Sequence, residues 1–253
     1  MKTIDLNCDL GESFGAYKMG NDDEILPFVS SINIACGFHA GDPTVMRQTV
    51  EKALEHNVAI GAHPGFPDLI GFGRRNMNVS ASEVYDYVLY QIGALDGFVK
   101  VAGGTMQHVK PHGALYNMAA TNSEIADAIA KAISHINPNL SLYGLANSEA
   151  FIRAAKKYNV TLVQEAFADR TYKQDGTLTS RTEENALIKN EDEAIKQVLQ
   201  MVKEGYVEAV NGGKVAVQAQ TICLHGDGEK AVQFAKRIYG TFELNDVTIC
   251  APK

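Results

Sequence analysis

The chain has 253 residues, which is enough for one large domain, and parallel α/β barrels commonly occupy this length as a single unit. Its apolar fraction of 45% and charged fraction of 21% are typical of a globular protein with a sizeable core and argue against disorder. The formal net charge is -7, and the lysines and arginines are scattered along the chain, so we expect no nucleic-acid partner.

The N-terminal segment and the cysteines indicate a cytoplasmic protein without disulfides. Asp5 and Asp9 interrupt the stretch where a secretory signal needs an apolar run, and no run approaches the roughly 18 apolar residues of a membrane span. We therefore expect no membrane contact. The cysteines lie far apart in apolar, strand-like segments without a Cys-x-x-Cys pair. We interpret all four as small buried apolar residues: Cys8, Cys36, Cys223 and Cys250.

Strand-like segments alternate with amphipathic helical segments along the chain. We predict strands over residues 3–9, 31–39, 58–63, 109–112, 140–145, 161–168, 214–225 and 241–249. Three sites carry helix-start signals: Asp42 before Pro43, and the capping boxes Ser80-x-x-Glu83 and Thr121-x-x-Glu124. This alternation predicts βα units and a parallel sheet.

The first predicted strand favours a barrel over an open sheet. Asp5, Asn7 and Asp9 alternate with apolar residues, so one face of the strand is polar. A central strand of an open doubly wound sheet has two apolar faces. We predict a parallel, TIM-like β/α barrel of about seven strands, formed by residues 1–253 as one domain. Two long polar connections, 64–78 and 170–190, are candidate lids.

Polar residues recur at the carboxyl ends of the predicted strands. If the polar strand faces line the barrel interior, these side chains meet at one mouth, where parallel barrels carry their chemistry. On the second strand Asn33 shares a face with His39, and Asp169 follows Glu165 on the sixth. The set expected to converge comprises His39, His63, His112 and His225 with Asp9, Lys110 and Glu165.

Several of these residues have simpler interpretations. Asp42 serves either as a helix cap alone or as a cap that also belongs to the site, and the segment 9–12 is either a plain glycine turn or part of the site. The arginine pair Arg74-Arg75, flanked by glycines, is either a solvated loop or a clamp for a phosphate or carboxylate. We leave these alternatives open.

A metal centre is an alternative use of the same histidines. If a divalent metal is bound, Asp9, His39 and His63 are its expected ligands. However, the chain contains no His-Glu-x-x-His, no His-x-His and no Cys-His zinc spacing. It also contains no Walker A loop and no Gly-x-Gly-x-x-Gly after the first strand, so we expect no nucleotide site in this chain.

Six long motifs carry a resemblance to a known family. In chain order from Asp5 to Asp227 they are DLNCDLGE, NIACGFHAGDP, GAHPGFPDLIGFGRR, VKPHGALYN, EAFADRTY and CLHGD. Together they resemble the LamB/YcsF family. The resemblance implies a distorted β/α barrel, related to the sugar deacetylase barrels. It also implies a role as the A subunit of a bacterial ATP-dependent 5-oxoprolinase, which with subunits B and C converts 5-oxo-L-proline, ATP and water into L-glutamate, ADP and phosphate.

The resemblance also implies roles for the predicted site. The partner subunits would phosphorylate the lactam oxygen, and this chain would add water, with a histidine or Asp9 as general base and His112 or His225 protonating the ring nitrogen. Lys110, with Arg74 or Arg75, would hold the phosphoryl group. The further expected substrate or phosphate contacts are Asn7, Glu12, Asn33, Asp169 and Arg170. The alternatives are a stand-alone metal-dependent amidase or deacetylase, and a non-catalytic subunit that binds the lactam.

Overall fold

The computed structural model describes residues 2–225, without the side chain of His225, and residues 231–252. The strands are β1 (Lys2–Leu10), β2 (Ser31–Ala35), β3 (Ala59–His63), β4 (Met106–Val109), β5 (Ser141–Leu145), β6 (Leu162–Phe167), β7 (Tyr206–Glu208), β8 (Lys214–Ala216), β9 (Thr221–His225) and β10 (Val247–Ile249). The α-helices are α1 (Asp22–Ile25), α2 (Pro43–Glu55), α3 (Ala81–Val101), α4 (Gly113–Thr121), α5 (Ser123–Ile136), α6 (Glu149–Tyr158), α7 (Glu191–Leu199) and α8 (Ala231–Leu244).

Seven parallel strands close into a barrel. Around the barrel they follow the order β1, β2, β3, β4, β5, β6 and β9, and β9 pairs with β1 to complete the ring. Strand β10 lies outside the ring and pairs in parallel with the N-terminal end of β1, where Lys2 lies opposite Val247. Strands β7 and β8 form a separate antiparallel hairpin. The closed barrel with helices around it confirms the predicted fold class.

Both faces of β1 are buried, each for a different reason. The apolar face, which includes Leu6 and Cys8, belongs to the hydrophobic core between the sheet and the helices. Burial of a Leu or Ile side chain contributes about 1.5–3 kcal/mol to stability. The polar face lies inside the barrel, where Asn7 on β1 donates to Glu165 on β6 at 3.0 Å. The alternation predicted from the sequence therefore separates the core from the polar interior.

Two predicted strands end before the residues that the sequence assigned to them. Strand β2 ends at Ala35 because Gly37, with a φ of 89°, turns the chain, so the prediction of a strand through His39 is wrong. Strand β4 ends at Val109, so the prediction of a strand over 109–112 is also wrong, and Lys110 follows the strand. His112 occupies the N-cap position of α4.

Two other predicted strands are not continuous. The predicted strand 214–225 consists of β8 in the hairpin and β9 in the barrel, separated by residues 217–220. In the predicted strand 241–249, Thr241 belongs to α8, and only Val247–Ile249 is a strand. Helix α8 extends through Thr241 because Ala235, Ile238 and Phe242 recur at helical spacing and are buried.

Two of the three predicted helix starts are confirmed. The Asp42 carboxylate accepts from two backbone N–H groups in the first turn of α2, and Ser80 forms the expected capping box with Glu83. The third prediction is wrong, because α4 ends at Thr121 and Asn122 caps α5 instead.

The cysteine prediction holds for three of the four residues. Cys8, Cys36 and Cys223 are buried free thiols, whereas Cys250, just after β10, is exposed. Among the helices in the described part of the chain, none combines the length and the apolarity needed to cross a bilayer.

Candidate active site

A pocket opens at the carboxyl ends of the barrel strands. It is lined by residues at or just after the carboxyl ends of β1, β3, β4 and β6 and by residues of the two long connections predicted as lids. The charged and polar residues that line it are Asp9, Glu12, His63, Arg74, Lys110, His112, Tyr116, Asn117, Arg170 and Arg181. Of the side chains predicted to converge, Asp9, His63, Lys110 and His112 line this one cavity, although they lie far apart in the chain.

Lys110 is the central cation of this pocket. Its side chain is 2% exposed, and Nζ lies 2.8 Å from Asp9 Oδ1 and 3.0 Å from Glu165 Oε1. Nζ also contacts the Cys223 sulfur at 2.9 Å. Burial on its own would lower the pKa of Lys110, but Asp9, Cys223 and Glu165 raise it well above the ordinary value. Lys110 is therefore a fixed positive charge at neutral pH.

Asn7 and Asn33 lie deeper in the barrel and hold the charged groups in place. Asn33 Nδ2 donates to Asn7 Oδ1 and to Asp9 Oδ1, both at 2.8 Å. His108 Nε2 donates to Asn33 Oδ1 at 2.8 Å. Burial and the charge of Lys110 lower the pKa of His108 to about 3, so this imidazole is neutral. These amides position Asp9 and are not among the described residues that line the pocket.

Two backbone carbonyls orient the histidines of the pocket. His63 Nδ1 lies 2.7 Å from the Lys110 carbonyl oxygen, and His112 Nε2 lies 2.9 Å from the Phe72 carbonyl oxygen. A carbonyl oxygen accepts only, so both of these ring nitrogens carry hydrogen. The opposite nitrogens, His63 Nε2 and His112 Nδ1, face each other at 2.9 Å. His63 Nε2 is also 3.3 Å from Asp9 Oδ2.

His39 reaches the same cluster from the loop between β2 and α2. Its ring stacks on His112, with centroids 3.7 Å apart and an interplanar angle of 3°. Its Nε2 lies 3.6 Å from Glu12 Oε1. Burial and the neighbouring His63 hold the pKa of His39 well below the ordinary value; burial and His39 do the same for the pKa of His112. Both rings are therefore neutral at pH 7.

Glycines allow the histidines to pack this closely. A Cβ atom on Gly65 would lie 2.5 Å from His39 Nδ1. A Cβ on Gly73 would lie 2.7 Å from His39 Cβ and 2.9 Å from His112 Cδ2, and Gly73 also has a φ of 60°. The connection 64–78 is therefore shaped to fit around these rings.

Arginines from the two connections line the pocket. Arg74 comes from the first, and Arg170 and Arg181 come from the second. Arg170 is buried and donates to the carbonyl oxygens of Thr179 at 2.6 Å and Ala186 at 3.3 Å. Burial and the nearby charge of Arg181 lower the pKa of Arg170 to about 10, which still leaves it positive at neutral pH.

The structure places other predicted residues away from the pocket. Arg75 is 65% exposed and its Nε donates to both carboxylate oxygens of Asp68 at 3.1 and 3.0 Å. Neither Arg75 nor Asp169 is among the described residues lining the cavity. The backbone of His225 pairs with β1 opposite Asp9, but its side chain lies outside the described residues.

Sequence reasoning missed three of the charged and polar residues that line the pocket. Arg181 lies in the connection that was predicted as a lid, but a charged residue in a polar loop has no distinguishing pattern. Tyr116 and Asn117 belong to the segment VKPHGALYN, in which only the lysine and the histidine were singled out. Tyr116 lies one helical turn after His112, and this spacing was the available signal. Burial and the Glu165 carboxylate raise the pKa of Tyr116 well above the ordinary value.

Comparisons with known proteins agree with this architecture. The A subunit of a 5-oxoprolinase from Bacillus mycoides is 90% identical over 252 residues, covering 100% of this chain and 99% of that protein. The corresponding A subunit from Bacillus cereus is 90% identical over 253 residues, covering 100% of both. The crystal structure of a lactam utilization protein from Thermus thermophilus superposes with a TM-score of 0.93 at 47% identity, covering 100% of both chains.

A more distant structure shares the fold alone. It is a putative cellobiose-phosphate cleavage protein from Enterococcus faecalis, with a TM-score of 0.58 and 15% identity over 98% of this chain and 97% of that chain. The profile of the LamB/YcsF family matches residues 4–253, which is nearly the whole sequence. The resemblance carried by the six motifs is confirmed: the chain belongs to the LamB/YcsF family.

Proposed function

We propose that this chain is the A subunit of an ATP-dependent 5-oxoprolinase and opens the lactam ring of 5-oxo-L-proline to give L-glutamate. The observation that carries the proposal is the 90% identity, over the full length, to proteins named as the A subunits of 5-oxoprolinases. The word subunit in those names supports an assembly with partner chains, which we take to be subunits B and C. The reaction belongs in the cytoplasm, where ATP is available.

ATP is consumed by the complete complex. Opening an unstrained five-membered lactam is thermodynamically poor, so the ring must be activated first. The partner subunits transfer a phosphoryl group to the lactam oxygen, since this chain has no phosphate-binding loop in its sequence. Water then adds to the activated carbon, and the ring nitrogen leaves with a proton. The resulting carboxyl phosphate is hydrolysed to L-glutamate and phosphate.

The charge of the pocket suits such a substrate. The phosphorylated lactam carries two anionic groups, a carboxylate and a phosphoryl group, and the pocket presents Arg74, Arg170, Arg181 and Lys110. Guanidinium groups bind both kinds of anion through paired hydrogen bonds. Because the arginines belong to residues 64–78 and 170–190, these two connections act as lids of one barrel domain and close on the anionic groups.

Asp9 is the residue best placed to handle the proton of the attacking water. Its Oδ1 is held by Lys110 and Asn33, both at 2.8 Å, and its Oδ2 faces His63 within the pocket. Asp9 takes a proton from water and returns it to the departing ring nitrogen. Lys110 stabilises the negative charge that develops on the substrate oxygen.

Reconstitution tests the proposal directly. The chain is mixed with subunits B and C, 5-oxo-L-proline and ATP, and glutamate is measured. Replacement of Asp9 by Asn should lower turnover on the order of 10²-fold or more, as expected for a general base. The matched control is Asp68→Asn, which changes a carboxylate paired with exposed Arg75 outside the pocket. A folded Asp9→Asn chain with near-normal turnover in the complex would refute the mechanism.

A stand-alone metal-dependent amidase is the second candidate. The observation in its favour is the group of four potential metal ligands, Glu12, His39, His63 and His112. The two functions differ in what the isolated chain does. The A subunit of a 5-oxoprolinase releases no glutamate without its partners and ATP, whereas an independent amidase hydrolyses its substrate alone. A non-catalytic lactam-binding subunit is recognised by normal turnover of the Asp9→Asn complex.

A further inference from the structure

We propose that Glu12, His39, His63 and His112 form a binding site for a first-row divalent transition-metal ion, of which Zn²⁺ is the best fit. One ligand atom from each residue lies within 4.8 Å of all the others, and all four residues are buried. The inference stands independently of the proposed function, because it concerns what the isolated chain binds.

The hydrogen bonds of two histidines fix their tautomers. His63 Nδ1 and His112 Nε2 each donate to a backbone carbonyl oxygen, so in the neutral rings His63 Nε2 and His112 Nδ1 have no hydrogen. These two lone pairs then point at each other across 2.9 Å. Two lone pairs at this distance repel unless a positively charged species lies between them. Donation of the second N–H to a carbonyl is also how metal-binding histidines are usually oriented.

A proton shared between the two rings is the competing explanation. It would account for His63 and His112 but leaves His39 unexplained, because both nitrogens of this fully buried ring have no hydrogen-bond partner among the described residues. A buried polar group without a partner is unfavourable, because it has lost its hydrogen bonds to water and gained none in return. A metal ion provides a partner for His39 as well.

The donor set selects the kind of metal. Three imidazole nitrogens and one carboxylate suit zinc and its neighbours in the first transition row, whereas Mg²⁺ and Ca²⁺ prefer oxygen ligands. With metal–ligand bonds of about 2.0–2.2 Å, the donors of a tetrahedral site lie roughly 3.3–3.6 Å apart. Glu12 Oε1 lies 3.6 Å from His39 Nε2 and 3.8 Å from His112 Nδ1, which is close to this spacing.

Metal binding requires two local rearrangements. His39 and His112 are stacked in parallel, and two parallel rings cannot both direct a lone pair at one ion in their own planes. His39 must therefore turn out of the stack. The turn breaks no hydrogen bond within the described residues, because the ring nitrogens make none there. His63 and His112 keep their carbonyl contacts, and their facing nitrogens move apart from 2.9 Å to the tetrahedral spacing of roughly 3.3–3.6 Å.

The proposed site changes the interpretation of the histidines. As metal ligands, His63 and His112 are not available as general base and general acid, so the roles expected for them from the sequence are replaced. A metal at this position would supply Lewis-acid chemistry and lower the pKa of a bound water to about 7. Asp9, with Oδ2 3.3 Å from His63 Nε2, lies beside the site and keeps the proton-handling role.

The test uses the isolated full-length chain, stripped with a chelator and titrated with Zn²⁺, with Mg²⁺ as the contrasting ion. Elemental analysis after gel filtration should find about one zinc per chain, and calorimetry should show tight binding of Zn²⁺ and none of Mg²⁺. His63→Ala and His112→Ala should each weaken zinc binding by on the order of 10²-fold. His56→Ala, which changes an exposed histidine after α2, is the matched control and should leave binding unchanged.

A measurement on the unmutated chain guards against variants that fail to fold. X-ray absorption of the zinc-loaded protein should show three imidazole nitrogens in the first coordination shell. Less than a tenth of an equivalent of zinc would overturn the proposal, as would binding that persists in His63→Ala or a sulfur-dominated shell. Nitrogen NMR of the metal-free chain that shows a proton between His63 and His112, together with no zinc binding, would assign the cluster to a shared proton. No outcome depends on 5-oxo-L-proline, ATP or partner subunits, so failure of the proposed function is a separate result.

Discussion

Replacement of Lys110 by Met tests how far the buried charge network determines the stability of this barrel. Met retains most of the side-chain volume but removes the ammonium group, which lies 2.8 Å from Asp9 Oδ1 and 3.0 Å from Glu165 Oε1. The two carboxylates are then left in the barrel interior without their shared cation. Glu165 is fully buried and still accepts from Asn7, but this amide carries no net charge.

The expected cost follows from the burial of the pair. Removal of one partner from a buried ion pair costs about 3–5 kcal/mol, because the remaining charge is desolvated and uncompensated. This is a large share of the 5–15 kcal/mol that typically separates a folded domain from its unfolded state. At about 2–4 °C per kcal/mol for a chain of this size, the melting temperature should fall by roughly 6–20 °C.

Urea unfolding followed by circular dichroism at pH 7 measures the effect. The control is Lys157→Met, which removes the cation of an exposed pair with Asp127 and should change stability by at most about 1 kcal/mol. Adding Glu165→Gln to the Lys110→Met chain should restore part of the loss, since one buried charge is removed. If Lys110→Met unfolds within about 1 kcal/mol of the parent, the carboxylates do not depend on this ammonium group and the reasoning fails.

Three further predictions concern the barrel interior and the pocket. Burial and Lys110 lower the pKa of His108 to about 3, so the contribution of this neutral histidine to the free energy of unfolding is fully present above pH 6.5. The contribution falls by up to about 1.4 kcal/mol per pH unit as the pH drops toward 3, and His108→Gln should flatten this slope in acid unfolding curves. Gly61→Ala should prevent normal folding, because its Cβ would lie 2.1 Å from His108 Nε2, and a normal melting temperature of this variant would contradict the packing. The control Gly97→Ala, which has open space around it in α3, should raise the free energy of unfolding by about 0.5–1 kcal/mol. In the reconstituted complex, Arg181→Ala should raise KM for 5-oxo-L-proline about tenfold or more, whereas Arg75→Ala should leave KM unchanged. Equal effects of the two substitutions would argue against substrate binding by the arginines that line the pocket.

Local patterns in the sequence predicted most of the barrel. The alternation of Asp5, Asn7 and Asp9 with apolar residues depends only on strand geometry, so it identified the polar interior correctly. The helix starts at Asp42 and Ser80 were also predictable from local sequence, because the side chain of a cap residue bonds the backbone of the first turn of its own helix. The family resemblance was also present in the sequence alone and is confirmed over residues 4–253.

Strand and loop boundaries were less predictable because they depend on pairing between distant segments. The apolar run before His39 suggested a strand, but Gly37 turns the chain after Ala35. The ring of His39 nevertheless reaches the predicted cluster, since the loop after β2 returns over the barrel mouth. Thr241 was predicted to begin a strand, but packing of the apolar face of α8 extends the helix through this residue.

Only the tertiary structure decided which residues of the pocket lie together. The sequence offered Asp9, His39 and His63 as possible metal ligands, whereas the structure also brings Glu12 and His112 to these histidines and places Asp9 against both Lys110 and His63. The sequence by itself determined that polar side chains end the strands of a parallel barrel, because the period of a strand and the direction of its chain are local properties. The partners of each side chain depend on distances across the barrel mouth and on the course of long connections, and these distances exist only once the sheet has closed.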